Sequence, residues 1–185
     1  MKKKVIYSII IVSVIIILSV AVTYAVYTFS GVVNISGTSE CFDVNYVKGQ
    51  DIGSDSNPAN FVLASTYTEG LSSVIKVNLK DTCTITNGTG TLYLNTDTSV
   101  TSSTLLSGKL LKYQVLDGTT SVGSGVVSSA ENIEIYKDIP ITTTVKTITV
   151  YIWLDGNLVT EQNQNEILSS VYKGNISMSI ESGDK

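Results

Sequence analysis

The stretch VKTITVYIWL, residues 145–154, alternates strictly: Ile148, Val150, Ile152 and Leu154 face one way and Thr147, Thr149, Tyr151 and Trp153 the other. A period of two belongs to a half-buried β-strand, because a helix with the same residues would scatter its apolar positions around the whole circumference. The pattern recurs. SVIKVNLK sets Ile75, Val77 and Leu79 against Lys76, Asn78 and Lys80. GTLYLN repeats it with Leu92 and Leu94, LLKYQVL with Leu111, Tyr113 and Val115, NIEIY with Ile133 and Ile135, and GNISMSIES with Ile176, Met178 and Ile180. Turn chemistry stands between these runs at Asn87-Gly88 with Gly90, at Asp117-Gly118 and at Asp155-Gly156-Asn157, residues that tolerate the positive φ of hairpin turns. About eight to ten short strands separated by such turns predict an all-β fold, an antiparallel β-sandwich. One short helical stretch is expected near 161–169, too little for the crossovers of a parallel α/β sheet.

Composition removes whole classes of chemistry. The chain has no His, and all 12 of its basic residues are Lys. Ser-His-Asp triads, Cys-His dyads and His-ligated zinc hydrolase sites are therefore excluded, no catalytic residue is singled out, and no metal or cofactor is expected. Three of the Lys crowd the extreme N-terminus and acidic residues number 16, so nucleic-acid binding is not expected either. Ten Tyr, with abundant Thr, Val and Ile, add to the strand-forming chemistry.

The N-terminus departs from this pattern. Lys2, Lys3 and Lys4 precede an apolar run from Val5 to Val26, which predicts a hydrophobic helix with its start in the cytoplasm and the rest of the chain outside. A run of that length would span the ~30 Å hydrocarbon layer as a single-pass anchor. Against retention, Thr23 and Ala25 place small side chains at the positions a signal peptidase reads before a cut after Ala25. Both outcomes stay open: residues 1–26 are a cleaved signal peptide or a signal anchor, and residues 27–185 are one extracytoplasmic domain. ESGDK at the C-terminus carries no sortase motif, so covalent wall attachment is not expected.

Just beyond, Tyr27, Phe29, Val33 and Ile35 alternate with Thr28, Ser30, Asn34 and Ser36. This segment reads as a first strand of its own sandwich or, once freed, as an assembly strand added to the sheet of a neighbouring molecule. Cys41 and Cys83 read as a structural disulfide in preference to free thiols, since exported cysteines usually pair and no further ligands accompany them.

Weaker features receive plainer readings. Asp51, Asp55, Ser56 and Asn57 lack EF-hand spacing and are read, like Asp97, as a solvated loop rather than a calcium site. Tyr151 and Trp153 read as a covered face in preference to a binding platform. An isopeptide crosslink between Lys76 and Asn175 is disfavoured by the outward position of Lys76. The N-x-S/T triplets at Asn34, Asn87 and Asn175 carry meaning only in a cell that glycosylates them.

The order of these features resembles the camelysin and TasA family of Gram-positive exported proteins. The resemblance rests on the Lys-rich start and apolar run, on Thr23-Tyr24-Ala25-Val26-Tyr27-Thr28-Phe29, on Gly37-Thr38 and on VIKVNLKDTCTITNGTGTLYLN. YIWLDGNLV followed by YKGNISMSIES is similar to the closing hairpin of related surface β-sandwiches. The resemblance implies a jelly-roll-like sandwich, removal of the leader by a dedicated signal peptidase, and self-association or assembly with related subunits into matrix or surface fibres. Camelysin has also been described as a metal-dependent protease; this chain lacks His and H-E-x-x-H, so no protease residue carries over, and the Cys pair is a further departure. The expectation is an extracellular or cell-surface structural protein of a biofilm matrix. The rival is a membrane-anchored binding module that presents loops such as Gly49 to Asn60. A type IV pilin is disfavoured because no Gly precedes the apolar run and no acid lies within it.

Overall fold

The computed structural model describes residues 25–31, 41–48, 59–61, 63–99, 101–130, 132–168 and 170–183. The apolar run up to residue 24, Val33, Ile35 and most of the Asp51 loop lie outside these residues. The chain is all-β. Its strands are β1 (Ala25–Gly31), β2 (Phe42–Lys48), β3 (Ala59–Phe61), β4 (Leu63–Ala64), β5 (Leu71–Leu79), β6 (Gly88–Thr96), β7 (Leu111–Asp117), β8 (Thr120–Val126), β9 (Ile133–Ile141), β10 (Lys146–Asp155) and β11 (Val171–Ser182). Two one-and-a-half-turn helices, α1 (Ser103–Ser107) and α2 (Gln164–Leu168), sit in the connections. The second occupies the stretch where a helix was expected.

One sheet has the order β3-β1-β11-β6-β9, and the other β2-β5-β10-β7-β8 with β4 beside the end of β10. Pairing is antiparallel except for β1 with β11 and β4 with β10. A single cluster of buried side chains draws on both sheets. Every inward position of the alternating runs is buried except Ile133, which is half-buried: Ile75, Val77 and Leu79; Leu92 and Leu94; Leu111, Tyr113 and Val115; Ile135; Ile148, Val150, Ile152 and Leu154; Ile176, Met178 and Ile180. Apolar side chains from the connections join the same cluster, with Leu105 of α1, Leu110, Val127 and Ile167 of α2 all buried.

The turns depart from expectation in two places. Gly118 does take a positive φ, +59°, in the β7–β8 hairpin. Asn87-Gly88 and Gly90 do not separate two strands, because β6 starts at Gly88 and runs through Gly90. Gly88 is there for space: a Cβ on it would lie 2.6 Å from the Phe42 ring, which packs over the start of β6. Asp155-Gly156-Asn157 makes no positive-φ hairpin either; Gly156–Leu158 is a 3-10 turn, capped by Asp155, whose carboxylate accepts from the Asn157 amide at 3.0 Å. Among the described residues, those outside glycine in the left-handed region are Lys109 and Asp138. Asp138 lies where Lys137 and Asp138 together oppose Thr91 alone, a β-bulge that the sequence pattern does not announce.

Candidate assembly strand and its surroundings

β1 is seated inside a sheet, between β3 and β11. Its partners on β11 run in parallel register from Val26 opposite Val171 to Gly31 opposite Ile176, with Tyr27 opposite Tyr172 and Phe29 opposite Gly174. On its other side Ala25, Val26 and Tyr27 face Phe61, Asn60 and Ala59. Of the residues predicted for processing, Ala25 is the first residue of the strand and Thr23 lies outside the described residues; of the assembly residues, Tyr27 and Phe29 fall in β1. The last two residues of the apolar run, Ala25 and Val26, are thus extended.

The β11 side of this seat is anchored from below. The Tyr172 side chain is fully buried, and its hydroxyl shares a 3.3 Å hydrogen bond with Thr96 Oγ1 of β6. Burial pushes the phenol up to about 12, so it stays neutral at any physiological pH. Lys173 and Thr101 exchange two hydrogen bonds at 3.1 Å, one from the Thr101 hydroxyl to the Lys173 carbonyl and one from the Lys173 amide to Oγ1. Beside them, Asp97 accepts from the Ser99 hydroxyl at 2.5 Å and lies 3.4 Å from Lys173 Nζ. These contacts, the Ser99 hydroxyl first, hold the Asp97 carboxyl below the usual range. The solvated-loop reading of Asp97 missed this partnership, because Lys173 is remote in sequence.

Cys41 and Cys83 are joined by a disulfide, with Cα atoms 5.5 Å apart and a sequence separation of 42. The bond sits at one end of the β2–β5 pair. There the Lys80 amide donates to the Cys41 carbonyl at 2.8 Å, and the Cys83 amide to the Lys80 carbonyl at 3.1 Å. Asp43, Asn45 and the other residues of β2 pair with β5 from Phe42 opposite Leu79 to Lys48 opposite Ser73.

Other candidates are dispersed. Lys76 is exposed on β5, while Asn175 lies on β11 in the other sheet and accepts from Asn95 Nδ2 at 2.7 Å, so the structure does not bring this pair together. Tyr151 and Trp153 are covered by Tyr67, whose ring lies 5.1 Å and 6.4 Å from theirs. Trp153 is only 9% exposed. The 3-10 turn Tyr67–Glu69, capped by a reciprocal Thr66/Glu69 pair, presents that ring.

Two polar clusters escaped sequence reading altogether. Lys112 of β7 pairs with the buried Asp155, and this bond, with those from Asn157, holds the carboxyl below the usual range. Asp117 accepts from the Tyr136 hydroxyl at 2.9 Å and from Lys146 Nζ at 2.7 Å. Burial, with Asp117 alongside, pushes the Tyr136 phenol up to about 12. Asp117 and Lys146 border an open groove of about 470 Å³ lined by Pro140, Thr142, Thr144, Thr147 and the exposed Val145. Each cluster joins different strands, so no local spacing announces it.

Among the described residues no three His, Cys, Asp or Glu side chains gather as metal ligands, and no helix is long and apolar enough to cross a membrane. No family model matches the chain, and neither a curated protein nor a solved structure shows significant similarity to it.

Proposed function

We propose that this chain is an exported, non-enzymatic β-sandwich of jelly-roll type that serves as a structural subunit of a cell surface or biofilm matrix, with β1 as its assembly strand. The observation that carries the reading is the seat of β1, a segment near the N-terminus inserted parallel to the last strand, β11, with partners more than 140 positions away. Residues 32–40 connect it to Cys41. That link is ten Cα steps long and reaches at most about 36 Å. Donation to a neighbour is head-to-tail and does not close on itself, so it propagates as a fibre.

Signal peptidase cleavage after Ala25 would free Val26, whose partner Val171 opens the β1–β11 ladder. The resemblance to camelysin and TasA proteins points the same way. The rival reading, a membrane-anchored binding module, is supported by the pairing of β1 within its own sheet. Intact mass and N-terminal sequence of the protein from cells and medium, with electron microscopy of the same fractions, separate the two. Chains starting at Val26 or within a few residues of it, recovered in filaments, are the expected result. An intact Met1–Val26 segment on monomers in the membrane fraction would sink strand donation.

A further inference from the structure

We infer that the Cys41–Cys83 disulfide is a tension-bearing link that routes a pull on β1 past the six-stranded sheet and into the ladder between β6 and β11. The inference rests on the reading that β1 is given to a neighbouring molecule.

The covalent route fixes where such a pull arrives. From β1 the chain passes through residues 32–40 to Cys41, which immediately precedes β2. In its sheet β2 is an edge strand, paired among the described residues with β5 alone. Phe42 opposite Leu79 is the pair at the Cys41 end. Tension on Cys41 without the disulfide opens that pair first and the others in turn. Each step breaks only one or two hydrogen bonds, each weak against water, so the ladder resists no better than a single step.

The disulfide changes the entry point. Force on Cys41 crosses to Cys83 and follows residues 84–87 to Gly88, the first residue of β6. That strand pairs with β11 over nine positions, from Gly88 opposite Ser182 to Thr96 opposite Gly174. The β1 seat on β11 covers Val171 to Ile176, at the far end from Gly88. Tension therefore enters the ladder at one end and leaves near the other, and the pairs are loaded together. These two strands are also fixed by Leu92, Leu94, Tyr172, Ile176, Met178 and Ile180, none more than 1% exposed. The Phe42 ring against Gly88 keeps the starts of β2 and β6 together at the corner where the force crosses.

Single-molecule pulling on the full chain tests this, with bio-orthogonal handles at positions 39 and 173 to reproduce the two points of load. The oxidised chain is expected to yield without an early low-force step. Adding reductant to the same molecules should introduce one, releasing at least Cys41–Lys48, about 28 Å at ~3.5 Å per residue. The Cys41→Ser/Cys83→Ser chain should behave as the reduced one, and reduction of already folded molecules keeps the result independent of whether that variant folds. The same first-rupture force and first extension with and without the bond would overturn the inference. Fibre formation is scored separately: monomeric, anchored protein would remove the donation reading while leaving the pulling result intact, and fibres with no force difference would do the reverse.

Discussion

β1 and β2 follow one another in sequence, separated only by residues 32–41, yet they are secured in opposite ways. β2 is an edge strand joined antiparallel to β5, a partner close in sequence, and is tied at one end by a disulfide. β1 is an inner strand with neighbours on both sides, but its main partner is the last strand of the chain, and among the described residues no covalent crosslink holds it. The first arrangement confines the unfolded chain as well as the folded one. The second depends on closing nearly the whole chain, which makes it slow to form. β2 is locked, whereas β1 is exchangeable only in the proposed reading, and the boundary between them is Cys41.

The largest expected effect breaks the lock. Cys41→Ser/Cys83→Ser should lower stability by about 4 kcal/mol in the chain-entropy model for a loop of this length, read from denaturant midpoints. Loss of less than 1 kcal/mol would mean that β2 is held by its packing alone. Next comes the packing at the same corner: Gly88→Ala sets a methyl group against the Phe42 ring and the Glu181 carbonyl, at 2.6 and 3.1 Å. An overpacking cost of about 2 kcal/mol follows, and Phe42→Leu in the same chain should recover part of it.

On the β1 side the expected effects are smaller. Tyr172→Phe removes the hydroxyl shared with Thr96 beneath the seat and should cost about 1 kcal/mol by thermal unfolding. An unchanged midpoint would show that the aromatic ring alone supports β11.

Acid sharpens the contrast between the sheets with the smallest effect. Lys112, and then Asn157, lower the pKa of Asp155 in the folded protein, so the stability it contributes is present above the unfolded carboxylate pKa and is lost as pH falls below about 4 toward the folded value. Tyr172, neutral until strongly alkaline pH, contributes nothing to that acid limb. Asp97, held low by Ser99 and Lys173, shares that limb at the Thr96 end of the β6–β11 ladder, so hydrogen exchange on acidification should loosen the Asp155 end of β7 and β10 before the Gly88–Ser182 end of that ladder, and Asp155→Asn should remove the difference. Simultaneous loosening of both regions would refute the assignment.

What was legible in the sequence is what depends on neighbours along the chain. The period of two in residues 73–80, 110–116, 145–154 and 174–182 announced strands and their buried faces, and Asp117-Gly118 announced a hairpin, because side-chain alternation and backbone φ are set within a few residues. Leu105, Leu110, Val127 and Ile167 carry no such period, so their burial could not be read from the pattern. Gly88 looked like a turn residue, yet its role is to leave room for a ring that arrives from β2. The strand character of this chain and the identity of most of its core were thus determined by the sequence itself. Only the tertiary structure decided which strands share a sheet, that β1 lies parallel to β11, that Lys112 meets Asp155 and Tyr136 meets Asp117, and that the cysteines stand where β2 begins. All of these are pairings between segments far apart in the chain, and local pattern restricts such pairings without choosing among them; the choice is made when the whole apolar surface is buried at once.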